Sequence, residues 1–431
     1  MKAKIIPHRV CGKVSAIGSK SYAHRALIAA ALLKKEQTEL HNLTLSQDVF
    51  ATINCLKALG AEITICDEND AITKHVLCKN GKIALVSPPK TVFKSVKFDF
   101  KESGSTMRFM LPIAAALGVD AEFIGGGNLL SRPIKPIFDL LKNGGVTVDK
   151  NRISGKFKCG NYEIESGVSS QFISGTIMVL CLIDGESKLI LKGKPVSTDY
   201  IKMTVEVFKS FGADITEIEG GYLIKGKSDV NKCPTDKVYI EGDWSAAANF
   251  LVAGAIGGEV EVCGLSLNST QGDKAILDVL KNCGASVVCH DNAIRITQNG
   301  LKSFDYYAEN TPDIVPILCV LAAYCKGETH IYGVNRLKFK ESDRLCAIFD
   351  FLNKAQIAVK YFDDTLVIEG GTPIGGEFNS FNDHRIAMCE AVLVCYAKGN
   401  SEIDDIECVK KSYPDFFEAL LSLGGENYVL F

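Results

Sequence analysis

Hydrophobic and polar positions along the chain follow a pattern that returns six times: an apolar helix end, a turn residue, then a strand. The copies are Leu56-Lys57-Ala58-Leu59-Gly60-Ala61, Leu141-Lys142-Asn143-Gly144-Gly145, and Phe208-Lys209-Ser210-Phe211-Gly212-Ala213. Three more follow: Leu280-Lys281-Asn282-Cys283-Gly284-Ala285, the degenerate Leu352-Asn353-Lys354-Ala355-Gln356, and Leu421-Ser422-Leu423-Gly424-Gly425. Lysine in the last turn suits the negative end of the helix dipole, and the glycine accepts the left-handed conformation that closes a helix. Most copies run on as strand, polar turn and strand. The pairs are 63–65 with 71–73 around Asp67-Glu68-Asn69-Asp70, 215–218 with 222–224 around Gly220-Gly221, and 287–289 with 294–297 around Asp291-Asn292. A spacing of roughly 70 residues is too long for a solenoid repeat and suits a small sheet-and-helix unit.

A second element recurs in step with the first, an apolar helix opened by polar residues. The openings are Ser19-Lys20-Ser21, Gly104-Ser105-Thr106, Ser169-Ser170-Gln171, Asp243-Trp244-Ser245, Pro312-Asp313 and Asp383-His384-Arg385. The bodies behind them, such as 26–33, 113–117 and 246–255, are apolar all round, which predicts helices buried in the middle of a domain. Six units divide into three and three, with the boundary near the polar stretch 225–237. The expected architecture is two α/β domains, 19–237 and 1–18 with 238–431, each built of three repeats.

Composition narrows the function more than the fold. Acidic and basic residues nearly cancel, at 51 against 48, and no basic block or basic helix appears. That excludes nucleic acid and anionic membrane as electrostatic partners, so any bound anion must be held by placed residues. The 16 cysteines are scattered, without a Cys-x-x-Cys pair or histidines at ligand spacing. They read as small buried residues of a reducing cytosol, not as a metal site or a disulfide framework. The start, Met1-Lys2-Ala3-Lys4-Ile5, has no signal-peptide core, and the apolar stretch 314–324 is shorter than the ~20 residues of a membrane span. A cytoplasmic protein is expected.

The chemistry gathers at the helix openings. Helix N-termini carry unpaired N–H groups and partial positive charge, which suits phosphate and carboxylate ligands. Capping explains the Ser and Asp residues but not the basic residues beside them. Ser21 and Arg25 share one edge of an apolar helix with Lys20 at its dipole end, and a buried arginine needs an anionic partner. Glu102-Ser103-Gly104-Ser105-Thr106-Met107-Arg108 is a small-residue turn that lets a ligand approach the backbone. Arg132 follows the loop Gly125-Gly126-Gly127, from which it can reach a phosphate. Asp313 opens an apolar helix, where an isolated Asp is ordinarily an N-cap. Glu341 and Arg344 share a face within Lys340-Glu341-Ser342-Asp343-Arg344, the spacing of a surface i,i+3 pair. Asp383-His384-Arg385 and Lys411-Ser412-Tyr413-Pro414-Asp415 complete the set.

At these residues the sequence resembles the 3-phosphoshikimate 1-carboxyvinyltransferase, or EPSP synthase, family from end to end. The motifs that carry the resemblance are Gly18-Ser19-Lys20-Ser21 with Arg25-Ala26-Leu27, Lys340-Glu341-Ser342-Asp343-Arg344-Leu345, Asn382-Asp383-His384-Arg385 with Ala387-Met388, and Lys411-Ser412-Tyr413-Pro414-Asp415-Phe416. The resemblance implies an inside-out pair of α/β domains closing a ligand cleft between them, with shikimate 3-phosphate mainly on the first and the acid–base residues on the second. By the motifs, Ser21, Arg25, Ser169, Ser170, Ser197, Asp313 and Lys340 would hold shikimate 3-phosphate, and Tyr200 matches less clearly. Lys20, Gly104, Arg132, Gln171, Arg344, Arg385 and Lys411 would hold phosphoenolpyruvate. The catalytic set would be Asp313 and Glu341, with Lys20 or His384 sharing proton transfer. No metal or organic cofactor is required, and a monomer is expected.

Three positions depart from the common pattern: Glu102, Phe109 and Arg336 stand where relatives often carry other residues. Gly104 leaves room beside phosphoenolpyruvate, so inhibition by glyphosate is expected. The alternative within the fold is a UDP-N-acetylglucosamine enolpyruvyl transferase. Its first motif has Lys-Asn where this chain has Lys20-Ser21, and its loop cysteine is missing from 125–136. A non-catalytic anion-binding repeat protein would not need Asp313 and Glu341. An RNA cyclase of related repeat fold would need an ATP site and RNA-facing charge, neither of which the sequence offers.

Overall fold

The computed structural model describes residues 1–67, 81–227 and 236–424, with the backbone of 428–430. It falls into two compact units, one of Met1–Ile17 with Glu241–Phe431, the other of most of the chain from Gly18 to Ile240. Each unit holds three four-stranded sheets with one shared plan.

In that plan a strand pairs in parallel with the strand that follows a buried helix, and two antiparallel strands complete the sheet. In the 18–240 unit, Asn161–Glu165 runs parallel to Gly185–Lys192, which then pairs antiparallel with Gly221–Gly226, itself paired with Asp214–Ile218. Ser95–Asp99 and Asp120–Ile124 open the second sheet in the same way, closed by Arg152–Ser154 and Thr147–Asp149. The third sheet takes its parallel strand, Lys237–Tyr239, from the far end of the unit to lie beside Thr38–Leu43. In the other unit Cys11–Ser15 plays that part beside Glu259–Cys263, and Ala3–Ile5 joins Ser401–Asp404. The expected strand 71–73 lies outside the described residues; Glu62–Asp67 pairs with Lys82–Ser87, Ile63 opposite Val86. The expected hairpins at 215–224 and 287–297 form as Asp214–Ile218 with Gly221–Gly226 and Ser286–His290 with Ala293–Thr297.

The apolar helices form the centre of each unit. Lys20–Leu32, Gly104–Leu117 and Ser170–Leu182 are buried along nearly their whole length, as are Trp244–Gly257, Val315–Tyr324 and His384–Cys395 in the other. Small residues let them approach: a Cβ on Gly175 would meet the Arg108 carbonyl at 2.5 Å. Tyr324 donates to Leu393 O (2.7 Å) and Tyr396 to Ala253 O (2.7 Å), so the bulky residues also satisfy their hydroxyls across helices. No helix among the described residues is long and apolar enough to cross a membrane.

The repeated helix ends close alike. Gly60, Gly145, Gly212, Gly284 and Gly424 all have positive φ, between 87° and 112°. Behind them Ala61 N donates to Leu56 O, Val146 N to Leu141 O, Ala213 N to Phe208 O and Ala285 N to Leu280 O. These bonds satisfy carbonyls that a helix end leaves open. In the degenerate copy Gln356 adopts φ 58°, and Ile357 N still reaches Leu352 O at 2.8 Å. The backbone requirement survives the loss of its glycine.

Candidate active site

Each unit gathers polar side chains at the N-terminal ends of its buried helices. In the 241–431 unit Arg344 is the hub. Its Nε donates to Asp383 Oδ2 (2.8 Å), one terminal nitrogen to Asp313 Oδ1 (2.9 Å), and the other to Glu341 Oε2 (2.6 Å) and Asp383 Oδ1 (3.2 Å). The guanidinium fork suits several carboxylates at once. Lys340 Nζ lies 3.1 Å from Asp313 Oδ1, and Arg385 3.5 Å from Asp313 Oδ2. Lys411 donates to the Asn382 carbonyl (2.6 Å), one residue before Asp383.

The network has a buried floor and an open rim. Arg344 and Asp383 side chains are 1% and 0% exposed, whereas Asp313, Lys340 and Glu341 keep 19–23%. Asp383 also accepts from Ser342 Oγ and from Arg385 N, which caps the helix His384–Cys395. Burial drives Asp313 toward its protonated form, but Lys340, Arg385 and Arg344 outweigh it and hold the carboxyl well below the usual range. The Arg344 charge is opposed by burial and fixed by Asp383, Glu341 and Asp313. Burial lowers Lys340, with Asp313 working against it.

The two plain alternatives that local spacing offers, a helix cap and a surface pair, do not hold here, and for a shared reason. Asp313 does not cap its helix: the N-cap of Val315–Tyr324 is Ile314, and the Asp313 carboxylate turns to the three cations. The Glu341–Arg344 pair is not a surface pair, because Arg344 is buried on Asp383. Spacing along one helix carries no information about carboxylates that arrive from other repeats.

The 18–240 unit holds a second cluster. Lys20 Nζ pairs with Asp48 Oδ2 at 2.8 Å, in the first turn of the helix Gln47–Ala58. His24 hydrogen-bonds Thr52 (2.7 Å), Thr52 meets Thr106 (2.8 Å), and Thr106 meets Ser103 (2.7 Å). This buried chain ties together the three helices that present Lys20, Asp48 and Gly104. Burial, then Lys20 and Arg25, push the His24 imidazole well below its ordinary value, so it is neutral.

Gly104 lies against two guanidiniums: an added Cβ would stand 2.7 Å from Arg108 and 2.9 Å from Arg132. Arg108 donates to Gln171 Oε1 (2.7 Å) and Pro133 O (2.9 Å), and Gln171 in turn donates to Ser105 Oγ (2.8 Å). Ser169 caps the helix Ser170–Leu182 through Gln171 N. Ser197, with φ 51°, precedes the helix Thr198–Ser210.

Arg25 is held by neutral oxygens alone. It donates to Thr204 Oγ1 (2.7 Å), Ser21 O (2.7 Å), Tyr200 O (3.0 Å) and Ser174 Oγ (3.3 Å), all neutral. Among the described residues no carboxylate pairs with it. Burial brings its guanidinium down to about 10, still charged at neutral pH.

Sequence reasoning missed Asp48 and the hub role of Asp383, and named Arg108 without a role. Asp383 had a signal, its place in an Asp-His-Arg opening. Asp48 had none beyond a common Ser-Gln-Asp cap. Among the described residues no group of His, Cys, Asp and Glu is placed to hold a metal ion.

This fold has counterparts among enolpyruvyl transferases. A solved EPSP synthase from Acinetobacter baumannii superposes with a TM-score of 0.80 at 22% identity, covering 100% of both chains. The enolpyruvyl transferase NikO from Streptomyces tendae gives 0.77 at 14%, covering 99% of this chain and 98% of that one. At such identities the likeness establishes the fold: two inside-out α/β domains, as in those solved structures. Sequence goes further. Residues 5–420 match the EPSP synthase (3-phosphoshikimate 1-carboxyvinyltransferase) family. A 3-phosphoshikimate 1-carboxyvinyltransferase from Clostridium perfringens is 37% identical, covering 98% of both chains, and one from Brachyspira hyodysenteriae is 36% identical, covering 99% of both. The chain belongs to the EPSP synthase family.

Proposed function

We propose that the chain transfers the enolpyruvyl group of phosphoenolpyruvate to the 5-hydroxyl of shikimate 3-phosphate, with Asp313 and Glu341 as the acid–base pair. Family membership supports the reaction. One observation supports the residue roles: two carboxylates share the buried Arg344, both on the accessible rim, and one of them also meets Lys340 and Arg385.

The 5-hydroxyl oxygen adds to C2 of phosphoenolpyruvate while C3 takes a proton. Asp313 accepts the hydroxyl proton and Glu341 supplies the one at C3. The tetrahedral intermediate then expels phosphate as the C3 methyl returns a proton to Glu341, leaving the vinyl group. Positive charge developing at C2 is offset by the same two carboxylates. Lys20 and His384 are further candidates for sharing proton transfer.

Lys20, Gly104, Arg132, Gln171, Arg344, Arg385 and Lys411 hold phosphoenolpyruvate, whose anionic groups take over the cations now engaged by Asp48 and Asp313. Ser21, Arg25, Ser169, Ser170, Ser197, Asp313 and Lys340 hold shikimate 3-phosphate. Arg25, held in place by neutral oxygens, keeps its charge for a phosphate. The 18–240 unit thus contributes mainly to shikimate 3-phosphate, the other the acid–base residues. The enzyme works as a monomer without a cofactor, in a reducing cytoplasm that suits free thiols such as the exposed Cys159, Cys289 and Cys346.

Asp313→Ala and Glu341→Gln test the assignment through phosphate release. Each is expected to lower kcat by roughly 10²–10⁴-fold, the usual worth of a positioned acid or base. Wild-type turnover in either variant would remove that residue from the mechanism.

A further inference from the structure

Two rungs join the helices Lys20–Leu32 and Gln47–Ala58. Lys20 Nζ meets Asp48 Oδ2 at 2.8 Å, and one turn further His24 Nδ1 meets Thr52 Oγ1 at 2.7 Å. From the second rung the contacts pass to a third helix. Thr52 meets Thr106 Oγ1 (2.8 Å), which also meets Ser103 Oγ (2.7 Å) and the Asp48 carbonyl (3.3 Å). Ser103 is the N-cap of Gly104–Leu117 and accepts from Thr106 N at 3.3 Å. His24, Thr52, Thr106 and Ser103 are all fully buried.

The direction of this chain follows from its end. A carbonyl can only accept, so the Thr106 hydroxyl donates to Asp48 O and takes hydrogens from both Thr52 and Ser103. Thr52 has then given its one proton, and its contact with His24 requires the hydrogen on Nδ1. The neutral imidazole leaves Nε2 as a bare acceptor, buried without a hydrogen-bond partner among the described residues. An apolar side chain in this place would avoid that cost. What explains the histidine is its other nitrogen, the one that donates to Thr52.

We propose that His24 is a positioning residue for phosphoenolpyruvate: through Thr52 and Thr106 it sets the head of the Gly104 helix against Lys20. The inference rests on Lys20 and Gly104 both holding that substrate. The ammonium comes from one helix and the Gly104 backbone from another, so an anion held by both feels any change in their spacing. Misplacing such groups by about 1 Å can cost up to about 100-fold in rate, even from a residue remote from the chemistry. Ser169, Ser170 and Ser197, assigned to shikimate 3-phosphate, stand at other helices, outside this chain of contacts.

The test is steady-state phosphate release with each substrate varied in turn, alongside thermal melts of every variant. His24→Leu removes the donor. It should raise KM for phosphoenolpyruvate on the order of 10-fold, and KM for shikimate 3-phosphate by less than about 2-fold. His24→Asn should restore most of the loss, because its amide nitrogen stands close to where Nδ1 sits. Thr52→Val should reproduce the same split, and joined to His24→Leu it should add little, since both cut one chain. Three results would each make His24 merely structural and overturn the proposal: His24→Asn as impaired as His24→Leu, both KM values rising together, or the single effects multiplying in the double variant. If His24→Leu does not fold, an unchanged KM for phosphoenolpyruvate in Thr52→Val has the same force. A wild type that releases no phosphate strikes the reaction itself. An active wild type whose His24 variants keep the native KM for phosphoenolpyruvate strikes only His24.

Discussion

At the scale of residues, the cost of misplacing a charge decides most of what is seen. Arg344 is almost wholly enclosed, and its three carboxylate partners are what make that enclosure tolerable. Removing one partner of such a buried group typically costs about 3–5 kcal/mol, so the floor of the network is rigid. Gly104 is placed by the opposite logic, an absence of atoms between two guanidiniums. Gly104→Ala is predicted to displace the Arg108 and Arg132 ends and raise KM for phosphoenolpyruvate by on the order of 10-fold, with KM for shikimate 3-phosphate less affected. Steady-state kinetics with each substrate varied in turn checks this, and equal changes in both constants would contradict it. The basic residues at helix openings could be read from sequence because charge has no business at the head of an apolar helix. Asp48 could not, since one Asp in the first turn of a helix looks alike whether it faces solvent or Lys20.

At the scale of elements, local rules account for where helices begin and end. Ser19, Ser46, Ser103, Ser169, Asp243, Asp343 and Asp383 all cap helices through their side chains. Among the described residues five copies of the helix end close with the same bond, and that regularity made the repeat readable. Gln356 is the exception that isolates the rule, holding a left-handed backbone without glycine's freedom. The left-handed conformation costs an ordinary residue roughly 1–2 kcal/mol, part of which glycine gives back through unfolded-state entropy. Gln356→Gly is therefore predicted to stabilise the protein by up to about 1 kcal/mol, measured by denaturant unfolding. Destabilisation would mean the side chain contributes more than the backbone strain costs. Strand pairing was less legible than helix ends. The partner of Glu62–Asp67 is Lys82–Ser87, and no local signal selects it over a nearer stretch.

At the scale of the whole molecule, two units repeat one plan three times each, and the chain changes unit twice to complete their sheets. The repeat count followed from hydrophobic periodicity, because burying an all-apolar helix leaves a sheet-and-helix unit few other arrangements. One core residue sets a pH dependence. Glu390 is fully buried, neither carboxyl oxygen has a hydrogen-bond partner among the described residues, and burial lifts its carboxyl far above the ordinary value. The folded state therefore holds a proton that the unfolded chain releases above about pH 4.3. Its stabilising contribution is complete below that pH and is lost as the pH rises toward the folded value, at up to about 1.4 kcal/mol per pH unit. Glu390→Gln is predicted to flatten the fall of stability with rising pH above about pH 5 in denaturant unfolding. A slope equal to the wild type's would show that Glu390 is not the proton held.

The account turns on one reaction, and phosphate release reads it directly. Purified chain is mixed with phosphoenolpyruvate and either shikimate 3-phosphate or UDP-N-acetylglucosamine, and phosphate is followed in time. Release with shikimate 3-phosphate and not with the sugar nucleotide is the predicted result. Release with the sugar nucleotide alone would keep the fold and the addition–elimination chemistry but contradict the substrate, and silence with both would contradict the reaction.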